Sequence, residues 1–429
     1  VTTIERVRVL WPDHFGIARG KYVPHRRVAH GARHCITTFA VGYDRSMVPA
    51  PGTMFLEGMP DMQAVFDPEA VRPGWEDDWT GVVVADLAYR GQPLRMAPRT
   101  ALHRAVEDWR ALGYEPLVGI ELEAYVLQPD GSGGWTSWDT PGAFVYGTGR
   151  AVDPTGLVDE IWATAEKVGL PIESINSEYD AAQFEMTLEH TDALGAVDDA
   201  FLFRLLAREV AHRHGLLCTF LGRPFADRGG SGLHVNVSVC DRSGGNAFVD
   251  EGDPDGLSTL LRHCVGGLLE HHEALAGLCA PTVNAYKRLR PGQLAGYWAN
   301  WGHDHRSVTV RIPAERGPAT RLEYRLPDGA ANPYTATAAV LQAARLGVEA
   351  GADPGAPEAG DGLETASHTD RRAPESLAAA LDALEADTAL VEAVGPELVA
   401  QFVEVKRAEW ARFAMAVTDW ELREYLPYH

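Results

Sequence analysis

Gly119-Ile120-Glu121-Leu122-Glu123-Ala124-Tyr125 alternates apolar and acidic side chains with a period of two, the pattern of a strand whose two faces meet different surroundings. Ile120 and Leu122 point one way, Glu121 and Glu123 the other. Four more stretches do the same. Leu233-His234-Val235-Asn236-Val237-Ser238-Val239 sets His234, Asn236 and Ser238 against three valines, and Arg321-Leu322-Glu323-Tyr324-Arg325-Leu326 sets Arg321, Glu323 and Arg325 on one side. Ser307-Val308-Thr309-Val310-Arg311-Ile312-Pro313 places Arg311 opposite Val308, Val310 and Ile312, and Gln183 shares a face with Glu185. Taken singly, each is compatible with a half-exposed antiparallel strand that has a solvated outer face. Taken together they lack lysine on any of the five polar faces, and the residues there are types that bind cations or anions.

If these strands line one interior, their carboxylates cannot all stay ionised without compensating cations. Oxygen-rich, imidazole-poor donors suit Mg2+ or Mn2+. The interleaved arginines can hold phosphate and carboxylate oxygens bidentately. Divalent ions, carboxylates and arginines together describe phosphoryl transfer from a metal–nucleotide complex. No GxxxxGK[ST] loop, strand-borne GxGxxG, HExxH or GxSxG is present, so another scaffold must hold the nucleotide.

The rest of the chain bounds the reading. Its 429 residues, 45% hydrophobic and 23% charged, are globular in composition. With 38 Lys and Arg against 60 Asp and Glu, the net charge is −22, which argues against nucleic-acid backbones and anionic membranes as partners. Five cysteines without a CxxC pair read as reduced thiols in a cytoplasmic protein. No apolar run reaches the roughly 18–20 residues of a membrane span, and Val1-Thr2-Thr3-Ile4-Glu5 is not read as a signal peptide. The first ~95 residues read as strands and turns, with one short helix near Val28; from Pro98 onward, helical periodicities alternate with short strands. A domain boundary is therefore expected near residue 95, with 1–95 and 96–429 on either side. Ala352–Gly362 reads as a loop.

At these residues the chain resembles the glutamine synthetase superfamily, within it the branch of γ-glutamyl–amine ligases. The resemblance runs in order through Asp61-Met62 with Asp67-Pro68, Gly119–Glu123, Glu178 with Gln183-Phe184-Glu185, Gly230-Ser231-Gly232-Leu233-His234, Asn284-Ala285-Tyr286-Lys287-Arg288-Leu289, Arg306-Ser307 with Arg311-Ile312-Pro313, and Glu323–Asp328 with Asn332-Pro333-Tyr334. It implies an α+β fold: a small N-terminal β-grasp domain, then a catalytic domain on a curved antiparallel sheet flanked by helices. It implies two or three Mg2+ or Mn2+ ions, ATP as co-substrate, and a homo-oligomer, a dodecamer of two hexameric rings. By resemblance Glu123, Glu178 and Glu185 hold one ion, and Glu121, His234 and Glu323 the other. Arg288 and Arg325, with Gly230 and Gly232, bind the acid substrate; Arg311, Arg321, Asn236 and Ser238 bind ATP; Arg306 and Arg288 serve the transferring group.

Departures from the family pattern bear on the substrate. The family's flap glutamate lies six residues beyond the Lys-Arg arginine, and here that position is Leu294, in a loop Pro291–Gly296 without a carboxylate. The family's N-terminal aspartate follows a phenylalanine; here Phe39 precedes Ala40, with Asp44 nearby. Asn236 stands where a second histidine is usual, Ala182 where a glycine precedes the glutamine, and Gly229 where asparagine precedes Gly-Ser-Gly. The expected activity is condensation of glutamate, or a close analogue, with a primary amine such as a polyamine or ethanolamine. The alternatives are a true glutamine synthetase using ammonium, a non-catalytic relative, and a kinase that stops at phosphorylation. Glu270-His271-His272-Glu273 reads as a solvated helix face. His303 and His305 fit either a nucleotide wall or a structural role, and Trp298 and Trp301 either an amine-pocket wall or a structural role.

Overall fold

In a computed structural model the described residues are 3–140 and 142–429; Val1 and Thr2, part of the stretch weighed as a signal peptide, lie outside them, as does Pro141. The expected α+β class is what the chain adopts. Eight strands precede the first α-helix: β1 (Arg6–Pro12), β2 (Ala18–Pro24), β3 (Ala32–Cys35), β4 (Asp61–Val65), β5 (Arg72–Pro73), β6 (Thr80–Val84), β7 (Asp86–Tyr89) and β8 (Gln92–Pro93). They form two four-stranded sheets, in the orders β2-β1-β6-β5 and β3-β4-β7-β8, and β1 runs parallel to β6. Alternation divides their side chains. Val7, Val9, Trp11, Phe39, Met62 and Leu87 form a core of their own, while Leu10 and Val82 join the larger core beyond. The helix expected near Val28 is a 3-10 turn, His25–His30.

The second part is built around one long strand. β9 (Glu115–Pro129) sits in a ten-stranded sheet with β10 (Trp135–Ser137), β11 (Ile172–Ser177), β12 (Gln183–Leu188), β13 (Thr191–Asp192), β14 (Leu217–Thr219), β15 (Leu233–Cys240), β16 (Trp301–His303), β17 (Val310–Ile312) and β18 (Leu322–Tyr324). The main path is β11-β12-β9-β15-β18-β17-β16, antiparallel except where β16 meets β17. Helices α1 (Pro98–Ala111), α2 (Leu157–Lys167), α3 (Ala193–Arg213), α4 (Thr259–Glu270), α5 (His272–Cys279) and α6 (Pro333–Ala350) are followed by α7 (Leu377–Ala386), α8 (Thr388–Val394), α9 (Pro396–Met415) and α10 (Asp419–Tyr425). No described helix is long and apolar enough to cross a membrane.

Local chemistry sets the helix ends. Asp192, Ser258 and Asn332 each accept a backbone N–H at the start of α3, α4 and α6, and Gly351 closes α6 in the left-handed region at φ 63°. Helices α4 and α6 pack backbone to backbone: a Cβ on Gly267 would lie 2.2 Å from Ala343 O, and one on Gly347 2.2 Å from His263 O. The apolar face of the large sheet (Ile120, Leu122, Phe184, Val235, Leu322 and Tyr324) is buried in the core shared with the helices, α3, α1, α2 and α6 lying against its strands. Its period-two partner residues are thereby left on the opposite face, where the candidate site lies.

His271 and His272 overturn the reading of a solvated face. They are 8% and 0% exposed, because α4 stops at Glu270 and the chain turns into α5 beneath the following segments. His271 Nδ1 lies 2.6 Å from Asp387 Oδ2 and His272 Nε2 3.1 Å from Tyr297 O. The Ala352–Gly362 loop is irregular as expected, yet pinned: Trp298 Nε1 donates to Leu363 O, Trp301 Nε1 to Gly355 O, and His305 Nε2 lies 2.9 Å from Gly360 O.

Candidate active site

Strand register places the charged side chains opposite one another. Glu123 faces Glu185 across β9 and β12, His234 faces Glu121 across β15 and β9, Asn236 faces Glu323 across β15 and β18, and Arg311 faces Glu323 across β17 and β18. Opposite partners in an antiparallel pair hold their Cβ atoms about 5 Å apart, so four strands deliver five acidic or imidazole groups to one place. His234 is the hub. Its Nδ1 lies 3.1 Å from Glu121 Oε2 and 3.5 Å from Glu323 Oε1, and its Nε2 lies 3.6 Å from Glu123 Oε1.

Two groups of potential ligands result, Glu121–His234–Glu323 and Glu123–Glu185–His234, each with ligand atoms within 4.8 Å of one another. The second group has His234 where Glu178 was expected. Glu178 follows the end of β11, where its Oε2 accepts from the backbone N–H of Tyr179 at 3.3 Å, and burial and the charge of Glu123 raise its pKa. Burial, then the charges of Glu121, Glu123 and Glu178, push the Glu185 carboxyl up to about 8. Burial also opposes the charge of Glu121, but His234, Asn236 and Arg325 outweigh it and hold that carboxyl well below its ordinary value. His234 is raised: burial and Arg325 oppose its protonation, and the surrounding carboxylates prevail. A crowd of hard oxygen donors around one imidazole fits Mg2+ or Mn2+.

The arginines surround this crowd. Glu323, 1% exposed, accepts from Arg311 Nη1 at 2.8 Å and from Arg325 Nη1. Arg325 Nε is buried without a partner among the described residues. Arg288, 3% exposed, donates to Leu326 O at 2.9 Å and Arg325 O at 3.3 Å, and burial lowers its pKa. The glycines of Gly-Ser-Gly admit it: a Cβ on Gly230 would stand 2.8 Å from Arg288 Cγ, and one on Gly232 2.7 Å from Arg288 Nη2 and 2.9 Å from His234 Nε2. The N–H of Gly232 donates to Glu123 Oε2 at 2.7 Å. Arg306 is the outlier, exposed on the turn between β16 and β17, the same turn whose Asp304 accepts from Arg311 Nε at 3.2 Å.

Beside the carboxylates opens a cleft of about 490 Å³ whose lining includes Glu121, Asn236, Ser238 and Arg321, with Pro318–Thr320 on one wall. Glu173, Thr187 and His190 also line it. They belong to none of the quoted motifs; the only sequence hint was Thr187, two residues after Glu185 and so on the same strand face. His303 and His305 are not among the lining residues. His303 is 3.8 Å from Asp255, and His305 and both tryptophans hold the 352–363 loop.

At the flap, Leu294 is 55% exposed, and Glu364 from the neighbouring loop comes so near Gly292 that a Cβ there would stand 2.5 Å from Glu364 Oε1. Phe39 is fully buried. Asp44 is engaged by Arg412 Nε at 3.1 Å and by Ser46.

Comparison with known proteins follows the same lines. The family model for the glutamine synthetase catalytic domain matches residues 95–425. The glutamine synthetase of Thermotoga maritima is 35% identical over 376 residues, covering 85% of this chain and 84% of its own length. That of Pyrococcus abyssi is 32% identical over 441 residues, covering 98% and 96%. Among solved structures, the GmaS/ADP complex in conformation 1 is similar with a TM-score of 0.88 at 33% identity, covering 99% of this chain and 97% of that one. A novel glutamine synthase homolog gives 0.82 at 25%, covering 100% and 99%.

Proposed function

The chain belongs to the glutamine synthetase family and is an ATP-dependent carbon–nitrogen ligase; from that premise we propose that it joins glutamate, or a close analogue, to a primary amine. The carrying observation is the flap: Pro291–Gly296 has no carboxylate and presents Leu294 to solvent. Ammonium and a primary alkylammonium must each shed a proton before attack, but only the amine with a carbon chain gains from apolar contact, so a flap that offers leucine in place of a carboxylate costs ammonium more of its binding. The engagement of Asp44 by Arg412 removes a second carboxylate from that task.

In this proposal Glu123, Glu178 and Glu185 hold one divalent ion, and Glu121, His234 and Glu323 the other. Such ions, when bound, would neutralise charge on the carboxylate and phosphoryl oxygens. Arg321, Asn236 and Ser238 line the cleft where the nucleotide would enter, Arg311 stands behind them on Glu323 at 2.8 Å rather than in the lining, and a structural neighbour holding ADP supports that use of the cleft. Arg288 and Arg325 grip the acid, the unpartnered Arg325 Nε supplying a free donor, with Gly230 and Gly232 keeping the approach open. The γ-carboxylate oxygen attacks the terminal phosphorus of ATP, the bond to the bridging oxygen breaks, and ADP leaves. Arg288, together with Arg306 reaching in from its exposed turn, stabilises the transferring charge. The amine gives one proton to solvent, attacks the acyl carbon in its neutral form, passes a second proton to solvent or to the departing phosphate, and the carbon–oxygen bond to that phosphate breaks. We place residues 1–95 and 96–429 in separate domains, and assign the assembly to two stacked hexameric rings in the cytoplasm.

The second reading, ammonium as the nitrogen donor, is favoured by Glu364, whose carboxylate lies against the flap at Gly292. Phosphate release with glutamate, ATP and a panel of ammonium, methylamine, ethanolamine and putrescine separates the two. Robust turnover with ammonium at millimolar concentration, matched by no amine, would overturn the proposal.

A further inference from the structure

We infer that Asn236 is a positioning residue that ties the nucleotide cleft to the carboxylate of Glu121, through the chain Arg321–Asn236–Glu121, so that divalent-ion binding depends on Arg321 even when no nucleotide is bound. Asn236 is 8% exposed and sits on β15 between the strands that carry Glu121 and Glu323. Its Nδ2 donates to Glu121 Oε1 at 2.8 Å, and its Oδ1 accepts from Arg321 Nε at 3.2 Å. A guanidinium only donates and a carboxylate only accepts, so a single orientation of the amide serves both partners.

Each end of the chain is anchored. Arg321 Nη1 donates to Glu315 Oε2 and to Ala319 O, both at 3.3 Å, on the wall of the cleft. At the other end the two oxygens of Glu121 have different partners: His234 Nδ1 faces Oε2 at 3.1 Å, and Asn236 faces Oε1. Two partners on two oxygens fix the plane of the carboxylate, and groups that orient a metal ligand typically contribute about 10–100-fold to affinity.

The inference rests on the proposed divalent-ion site, and its sign separates it from plain electrostatics. Arg321 is a cation near a cluster of carboxylates. By charge alone, removing it strengthens binding of a divalent cation. If it acts through Asn236, removing it weakens binding.

The test is Mn2+ titration of nucleotide-free protein, with free Mn2+ read by electron paramagnetic resonance. Arg321→Leu is expected to bind Mn2+ about tenfold more weakly, Asn236→Leu at least as weakly, and the double variant no worse than Asn236→Leu alone. Unchanged or tighter binding by Arg321→Leu, or additive losses in the double variant, would overturn the inference. Arg321 is one-third exposed, so its variant carries the test even if Asn236→Leu does not fold. Failure of the wild type to bind Mn2+ would instead remove the divalent-ion site itself, and the inference with it.

Discussion

Glu185→Gln should stabilise the metal-free protein at neutral pH. The Glu185 carboxyl has its pKa raised from 4.5 to about 8, so the folded state binds its proton more tightly than the unfolded chain does. Such a group contributes stability fully below pH 4.5 and loses it progressively as pH rises toward 8. At pH 7 the loss spans about 2.5 pH units at roughly 1.4 kcal/mol each, or about 3 kcal/mol. Glutamine keeps the shape and cannot ionise, so the variant avoids that loss. The gain should shrink to about 1 kcal/mol at pH 5. In a chain of this size, 3 kcal/mol corresponds to a rise of about 3–6 °C in thermal midpoint. The assay is thermal unfolding by circular dichroism of protein stripped with EDTA, at pH 5, 6, 7 and 8. Adding Mn2+ should reverse the order, since the wild type has the extra anionic ligand and stabilisation follows ligand affinity. A variant no more stable than wild type at pH 7, or a gain independent of pH, would refute the reasoning that Glu185 is held among like charges.

Three further outcomes are expected. Leu294→Glu should raise kcat/KM for ammonium relative to a primary amine by about tenfold or more, the equivalent of roughly 1.4 kcal/mol at one charged contact, as measured by phosphate release. Arg288→Met should raise the KM for glutamate by about 100-fold while leaving ADP affinity, read by calorimetry, within a factor of about two. Lys406, 1% exposed, donates to Glu409 at 2.8 Å and stands 4.6 Å from the Phe15 ring centroid and 5.0 Å from that of Tyr43; Lys406→Met should cost about 1–3 kcal/mol by leaving Glu409 unpaired, visible as an earlier urea midpoint.

The large sheet was legible because its strands bury one face and not the other. Period-two alternation at Glu121, Glu123, His234 and Glu323 records that asymmetry directly, and the helices from Pro98 onward declare themselves by apolar spacing. What was not legible depends on contacts between segments far apart in sequence. His271 and His272 look like a polar helix surface until α5 turns inward and places Asp387 and the Tyr297 carbonyl beside them. Glu173 and His190 reach the cleft because β11 and the end of β12 happen to border it, and no spacing rule encodes that. Glu178 sits at a turn rather than on a strand, so alternation could not fix its distance from Glu123 and Glu185. The tryptophans Trp298 and Trp301 have N–H groups that a buried indole must satisfy, and the carbonyls of Gly355 and Leu363 satisfy them.

The most direct measurement is a competition in one vessel: glutamate, ATP and Mg2+ with equimolar 15N-ammonium and a mixture of primary amines, followed by mass spectrometry of the products. A γ-glutamyl amide carrying one of the amines should dominate over labelled glutamine, with one ADP and one phosphate formed per amide. Labelled glutamine as the main product would contradict the assignment of an organic amine to the space beside Leu294.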